Sequence, residues 1–133
     1  MINEHDLDAF GYWSAAKPRQ QSVHQMVREF SQLTGQQPQP ILYSNLIKEE
    51  FEEWTEELQN DTHEEQLKEL ADLVYVVYGY AKARGWDLDE AIHRVHENNL
   101  GRCVQPDGTV KKRDDGKILK NKDYPKVDLS DLV

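Results

Sequence analysis

Cysteine is nearly missing from this chain: the single thiol, Cys103, has no second with which to form an internal disulfide. A reducing compartment, the cytoplasm, is the expectation. Long apolar runs are missing as well. The uncharged and largely apolar stretch Leu73 to Ala81 is far shorter than the ~20 residues of a membrane-spanning helix, and the polar start Met1 to Asp6 has neither the basic nor the apolar region of a signal peptide. Net positive charge is lacking: 16 Lys and Arg stand against 25 Asp and Glu, a formal charge of -9. Such a field opposes generic binding to nucleic acid or to an anionic membrane, and leaves a small phosphate ligand open. Convincing sheet-forming runs are absent too, so the expected class is all-α. With 133 residues, 38% of them hydrophobic, and a mean hydropathy of -0.85, the chain is one domain with a modest core.

What is present is a series of helices with readable ends. Residues 1–21 contain Leu7, Phe10 and Trp13 at three-residue spacing and then the linker-like Lys17-Pro18-Arg19-Gln20-Gln21, an arm or short docked helix. The main helical domain spans 22–133. The capping-box pattern Ser22-x-x-Gln25 opens a helix that Gly35 stops near Thr34, with Val23, Met26, Val27, Phe30 and Leu33 on one face. Pro40 suits the first position of a second helix reaching about Gln59, whose apolar side carries Leu42, Leu46, Ile47, Phe51, Trp54 and Leu58. Thr62-x-x-Glu65 predicts a capping box for a third, to Arg84 before Gly85, with a core stripe of Leu67, Leu70, Ala71, Val74, Val77, Tyr78 and Ala81. Asp87-x-x-Glu90 opens a fourth, to about Asn99. Beyond Leu100 the periodicity stops. Asp107-Gly108 and Asp115-Gly116 are turn signals, so 101–133 reads as an irregular arm or hairpin wrapping a four-helix-bundle-type core.

Two pairs of acids at i, i+3 carry the chemical signal: Glu50 with Glu53 on the second helix, and Glu69 with Asp72 on the third. The two helices are expected to lie antiparallel across a short Asn60-Asp61 connection, which lets the pairs face each other. Four carboxylates without His or Cys suit a hard cation, Mg²⁺ before zinc. Asp72 is the more telling acid. It opens the uncharged stretch, on a helix expected to be buried, with no Lys or Arg expected to serve it locally. The plainer reading stays open, because Glu49 to Glu57 is a charge run of the kind that usually forms a solvated helix face. Glu90-x-x-His93 has di-iron spacing, but a second such pair is lacking, and capping explains it better. No serine sits in a nucleophile elbow.

The tail opposes the sign of the whole. Lys111, Lys112, Arg113, Lys117, Lys120, Lys122 and Lys126 form a basic stretch interrupted by Asp114, Asp115 and Asp123. It reads either as a disordered tail or as a clamp for polyphosphate, facing the carboxylate side of a metal-bound triphosphate.

Glu50-x-x-Glu53 followed by Glu69-x-x-Asp72, with Glu49 doubling the first acid, resembles the hallmark of the MazG-type nucleoside triphosphate pyrophosphohydrolases, the all-α NTP pyrophosphatases. Val95-His96-Glu97-Asn98-Asn99-Leu100-Gly101-Arg102 resembles the V-H-x-S-N-M-S-K segment of that superfamily's phosphoribosyl-ATP pyrophosphohydrolase-like branch. Asp114-Asp115-Gly116-Lys117-Ile118-Leu119-Lys120 resembles its E-D-G-K-V-L-K segment. Asn98 and Gly101 replace serines, Arg102 replaces lysine, and Asn121-Lys122-Asp123-Tyr124 stands where G-P-N-Y is usual. The resemblance implies Mg²⁺-dependent hydrolysis of (d)NTPs between the α and β phosphates, with Mn²⁺ a substitute, in nucleotide-pool control. It implies Glu50, Glu53, Glu69 and Asp72 as metal ligands, Glu49, Glu50 and Glu53 in catalysis, and Asn99, Arg102, Lys117, Lys120 and Tyr124 on the substrate. It also implies a homodimer or homotetramer. Two rivals are phosphoribosyl-ATP hydrolysis in histidine synthesis and a non-enzymatic helical interaction module.

Overall fold

The structure, a computed structural model, describes residues 21–37, 39–60 and 62–133. Apart from Gln21, the expected N-terminal arm lies outside the described residues, as does Asp61 of the expected Asn60-Asp61 connection. Four helices and no strand are found among the described residues: α1 (Val23–Thr34), α2 (Pro40–Glu57), α3 (His63–Arg84) and α4 (Leu88–Cys103). The expected all-α class holds. The chain divides into two compact units, 1–36 and 37–133.

In the first unit α1 begins as predicted. Gln25 N–H donates to Ser22 Oγ, and Ser22 N–H donates to the Gln25 side chain, a complete capping box. Val27 and Ser31 are buried, and the Ser31 hydroxyl donates to Gln36 O at 2.7 Å. Leu33, expected on the apolar face, is exposed.

The second unit is organised by α2 and α3, which pack along one another. Their register is antiparallel. A Cβ at Gly79, late in α3, would collide with the ring of Tyr43, early in α2. At the other end Gln66 donates to Glu57 O at 3.1 Å and to Asn60 O at 2.8 Å, satisfying carbonyls at the end of α2. The packed core, with Tyr43, Tyr78 and Ala81 buried, sits at the first of these ends. The predicted Thr62 capping box does not form: its side chain makes no cap hydrogen bond, and Glu64 and Glu65 in the first turn complement the helix dipole instead. α3 closes at Gly85 (φ 75) with Trp86 N–H donating to Ala81 O at 2.9 Å.

α3 differs from expectation in its first half. Leu67 is 67% exposed, and Leu70 and Val74 also stand in solvent, although the stripe predicted burial. The periodicity marks an apolar face correctly; the described residues of the second unit leave its N-terminal half partly open.

Tyr78 ties α3 to α4: its hydroxyl donates to Asp89 Oδ1 at 2.8 Å, and burial followed by that carboxylate pushes it up to about 12. Asp87 caps α4 by accepting from Glu90 N–H at 3.0 Å. The helix then runs past the predicted end at Asn99 to Cys103, through Gly101. Tail contacts explain the extra turn. Asn121 N–H donates to Arg102 O at 2.7 Å, and the Tyr124 hydroxyl lies where a Cβ on residue 101 would be, so only glycine admits it.

The tail is held rather than loose. Asp115-Gly116 closes a small hairpin, with Arg113 N–H on Lys117 O at 2.7 Å and Leu119 N–H on Lys111 O at 2.8 Å, around an antiparallel bridge of Lys112 and Ile118. Asn98 donates to Pro125 O at 2.9 Å. Arg94 grips the last turn, Ser130–Leu132, through a bidentate pair with Asp131 at 2.6 and 3.0 Å and a bond to Asp128 O, while also meeting Glu90 at 2.8 Å.

Arg94 holds the Asp131 carboxyl below its ordinary range. A carboxyl depressed by folding stabilises above its unfolded pKa and loses that contribution as pH falls through the folded value. Asp131→Asn is therefore expected to speed amide hydrogen exchange over residues 121–133 at neutral pH, with little change in α3. The wild-type tail should lose the same protection on acidification below the usual carboxylate range.

Candidate functional site

The antiparallel register of α2 and α3 brings the two acid pairs together. Oxygens of Glu50, Glu69 and Asp72 all lie within 4.8 Å of one another. Glu53, one turn after Glu50, belongs to the same electrostatic group: burial first, and then the charges of Glu53, Asp72 and Glu69, push the Glu50 carboxyl up to about 7. A carboxyl raised that far reports crowded negative charge in a partly desolvated place. Glu49, by contrast, is exposed beside it.

Two oxygens of the cluster are orphaned. Glu50 Oε1 and Glu69 Oε1 are buried and have no hydrogen-bond partner, an arrangement that is costly unless a cation or donor meets them. The donor set is carboxylate alone, which suits Mg²⁺, Mn²⁺ or Ca²⁺ and not a thiolate- or imidazole-seeking metal. The residues present fit a hard divalent ion.

Asp72 is not the buried, unserved acid the sequence predicted. Its side chain is 40% exposed while that of Glu69 is 12%, so Glu69 holds the more desolvated charge. A lysine does serve it: Lys68 Nζ stands 2.9 Å from Asp72 Oδ2 and 3.5 Å from Glu69 Oε2, and the hydrogen bond to Asp72 leads the effects holding the ammonium above its ordinary pKa. Residue 68 was legible as a partner, since Lys68 and Asp72 are at i, i+4, neighbours on one helix face.

The basic residues gather elsewhere in the second unit. Arg102, Lys111, Lys120, Lys122 and Tyr124 line a cleft of about 730 Å³ between the end of α4 and the tail. Arg102 donates to Asn98 at 3.3 Å, and its Nε is buried without a partner. None of the four carboxylates lines this cleft, nor do Asn99 and Lys117, both exposed, so the predicted substrate residues are brought together only in part. Of the basic tail, Arg113 is engaged by Asp115 at 2.6 and 3.0 Å. The tail-holding roles of Arg94 and Asn98 carried no sequence signal, because their partners lie far along the chain.

No helix among the described residues is long and apolar enough to cross a membrane. A comparison with curated proteins finds no match. The family model described as phosphoribosyl-ATP pyrophosphohydrolase matches residues 20–99, more than half of the chain, and that span includes α1, α2, α3 and all four acids of the cluster. The chain thus belongs to the phosphoribosyl-ATP pyrophosphohydrolase family of all-α, MazG-like nucleotide pyrophosphohydrolases, whose members hydrolyse a phosphoanhydride of a nucleotide.

Proposed function

We propose that the chain is a Mg²⁺-dependent nucleoside triphosphate pyrophosphohydrolase that cleaves (d)NTPs between the α and β phosphates, in the cytoplasm, releasing (d)NMP and pyrophosphate. The observation that carries this reading is the acid cluster, with its two buried, unpartnered carboxylate oxygens. Glu50, Glu53, Glu69 and Asp72 hold the ion, with Mn²⁺ a substitute. Bound there, it supplies Lewis acidity toward phosphate oxygens and lowers the pKa of a coordinated water. Glu49 orients the attacking water or takes its proton. Asn99 hydrogen-bonds sugar or phosphate. Arg102, Lys117 and Lys120 offset charge on the departing pyrophosphate, and Tyr124 flanks the same phosphates.

A plain nucleoside triphosphate, without a phosphoribosyl group, is supported by positions 98 and 101, where the resembling segment of the phosphoribosyl-ATP branch carries serines. In this chain both are committed to the tail: Asn98 holds Pro125 O, and Gly101 admits the Tyr124 hydroxyl. Neither position offers a serine hydroxyl. The second reading, phosphoribosyl-ATP as substrate, is favoured by the description of the matching family.

The same proposal includes a homodimer or homotetramer. Leu67, Leu70 and Val74 stand open on α3 beside the acids, and the basic cleft shares no residue with the cluster. A second copy is suited to cover the first and complement the second.

A pyrophosphate-release screen over canonical and modified nucleotides with Mg²⁺ tests the activity. Turnover of at least one dNTP is expected, falling on the order of 100-fold in Asp72→Asn; no release by the wild type from any nucleotide sinks the enzyme reading, and much faster turnover of phosphoribosyl-ATP replaces the substrate. Because Glu50 must lose a proton held up to about 7 to become a ligand, Mn²⁺ affinity should rise as pH increases from about 6 to 8. Titration calorimetry reads this, and Glu50→Gln should flatten the slope. Light scattering should give a multiple of the chain mass, moving toward one chain in Leu70→Glu.

A further inference from the structure

The acid cluster already contains a cation of its own. Lys68 meets Asp72 Oδ2 at 2.9 Å and Glu69 Oε2 at 3.5 Å. Glu69 is divided between two surroundings: its Oε2 faces the ammonium, while its Oε1 is buried without a partner, like Glu50 Oε1 beside it. One positive charge is set among Glu50, Glu53, Glu69 and Asp72, so the neutralisation is incomplete.

The lysine's exposure decides what kind of partner it is. A buried lysine would be a permanent constituent, whereas the Lys68 side chain is 61% exposed, on a flexible stem whose head returns readily to water. The oxygens it engages are also ones a divalent ion needs. A carboxylate oxygen already accepting a hydrogen bond from an ammonium is a poor ligand, and two cations at one oxygen repel each other.

Resting on the divalent-ion reading given above, we propose that Lys68 is an exchangeable internal counter-ion: it holds Glu69 and Asp72 together in the metal-free protein and leaves their oxygens when a divalent cation binds. The acids are thereby kept in place against their own repulsion before metal arrives. The cost is competition, and metal affinity is set as a difference between the incoming ion and the lysine it displaces. Lys68 acts on the metal and not on the substrate, as a positioning residue.

The test compares wild type, Lys68→Met and Lys68→Arg by thermal melting in EDTA and in saturating Mn²⁺, with Mn²⁺ affinity from calorimetry at low ionic strength. Lys68→Met is expected to melt below wild type in EDTA and level with it in Mn²⁺, and to bind Mn²⁺ roughly two- to fivefold more tightly, the range set by an exposed ion pair. Lys68→Arg should stay close to wild type in both conditions. Equal lowering of the melting temperature with and without Mn²⁺ makes Lys68 an ordinary structural ion pair and overturns the exchange while the metal site stands. A Lys68→Met protein indistinguishable from wild type in every condition overturns it as well. If Mn²⁺ does not stabilise the wild type at all, the divalent-ion reading falls and the exchange falls with it.

Discussion

Like charges crowded on two facing helices are the constraint on which this structure turns. Two unit charges about 4 Å apart repel by about 4 kcal/mol at an effective dielectric near 20, and α2 and α3 bring Glu50, Glu53, Glu69 and Asp72 into one neighbourhood. Such a pair of helices needs something else to hold its register. At one end it has the Tyr43 ring seated on Gly79, at the other the Gln66 amide bridging to Glu57 O and Asn60 O. Between them the acids respond as crowded acids do: Glu50 rises to about 7, and the solvent-exposed Lys68 pairs with Glu69 and Asp72.

The helices were legible because their ends are local chemistry. Ser22 with Gln25, Pro40, Gly85 and Asp87 act through backbone groups within a few residues, so sequence order is enough to find them. The acid pairs were legible for the same reason. What could not be read was whatever depended on distant chain or on solvent. Asp72 was expected to be buried because its helix is apolar, yet exposure depends on what covers a face, and sequence periodicity names only the face. α4 was expected to stop at about Asn99, since the apolar periodicity ends beyond Leu100; it continues because Asn121 and Tyr124, some twenty residues on by number, secure that turn. The Arg94–Asp131 clamp has no spacing rule at all.

The tail and α4 make a second centre with the opposite sign. Its basic side chains are presented by backbone that α4 holds through Asn98, Arg102 and Arg94, so its shape depends on tertiary contacts more than on the lysines themselves. The departures of this chain from the resembling segments fall at those contacts. Positions 98, 101, 121 and 124 are where the arm is docked, and Lys122, standing where the segment usually has proline, adds a positive charge to the cleft's lining.

Gly79 has a reach beyond its own packing. It lies seven residues after Asp72, and Tyr43 lies seven before Glu50, so each arm from the ring contact to the acids is about two helical turns, roughly 10 Å of stiff rod. A slip of one residue moves a helix by about 1.5 Å, whereas metal–oxygen distances tolerate about 0.2 Å. The hydrogen atom that serves as the side chain of Gly79 therefore works as a length standard for ionic chemistry two turns away. A bulkier residue would detune the acids without touching any of them.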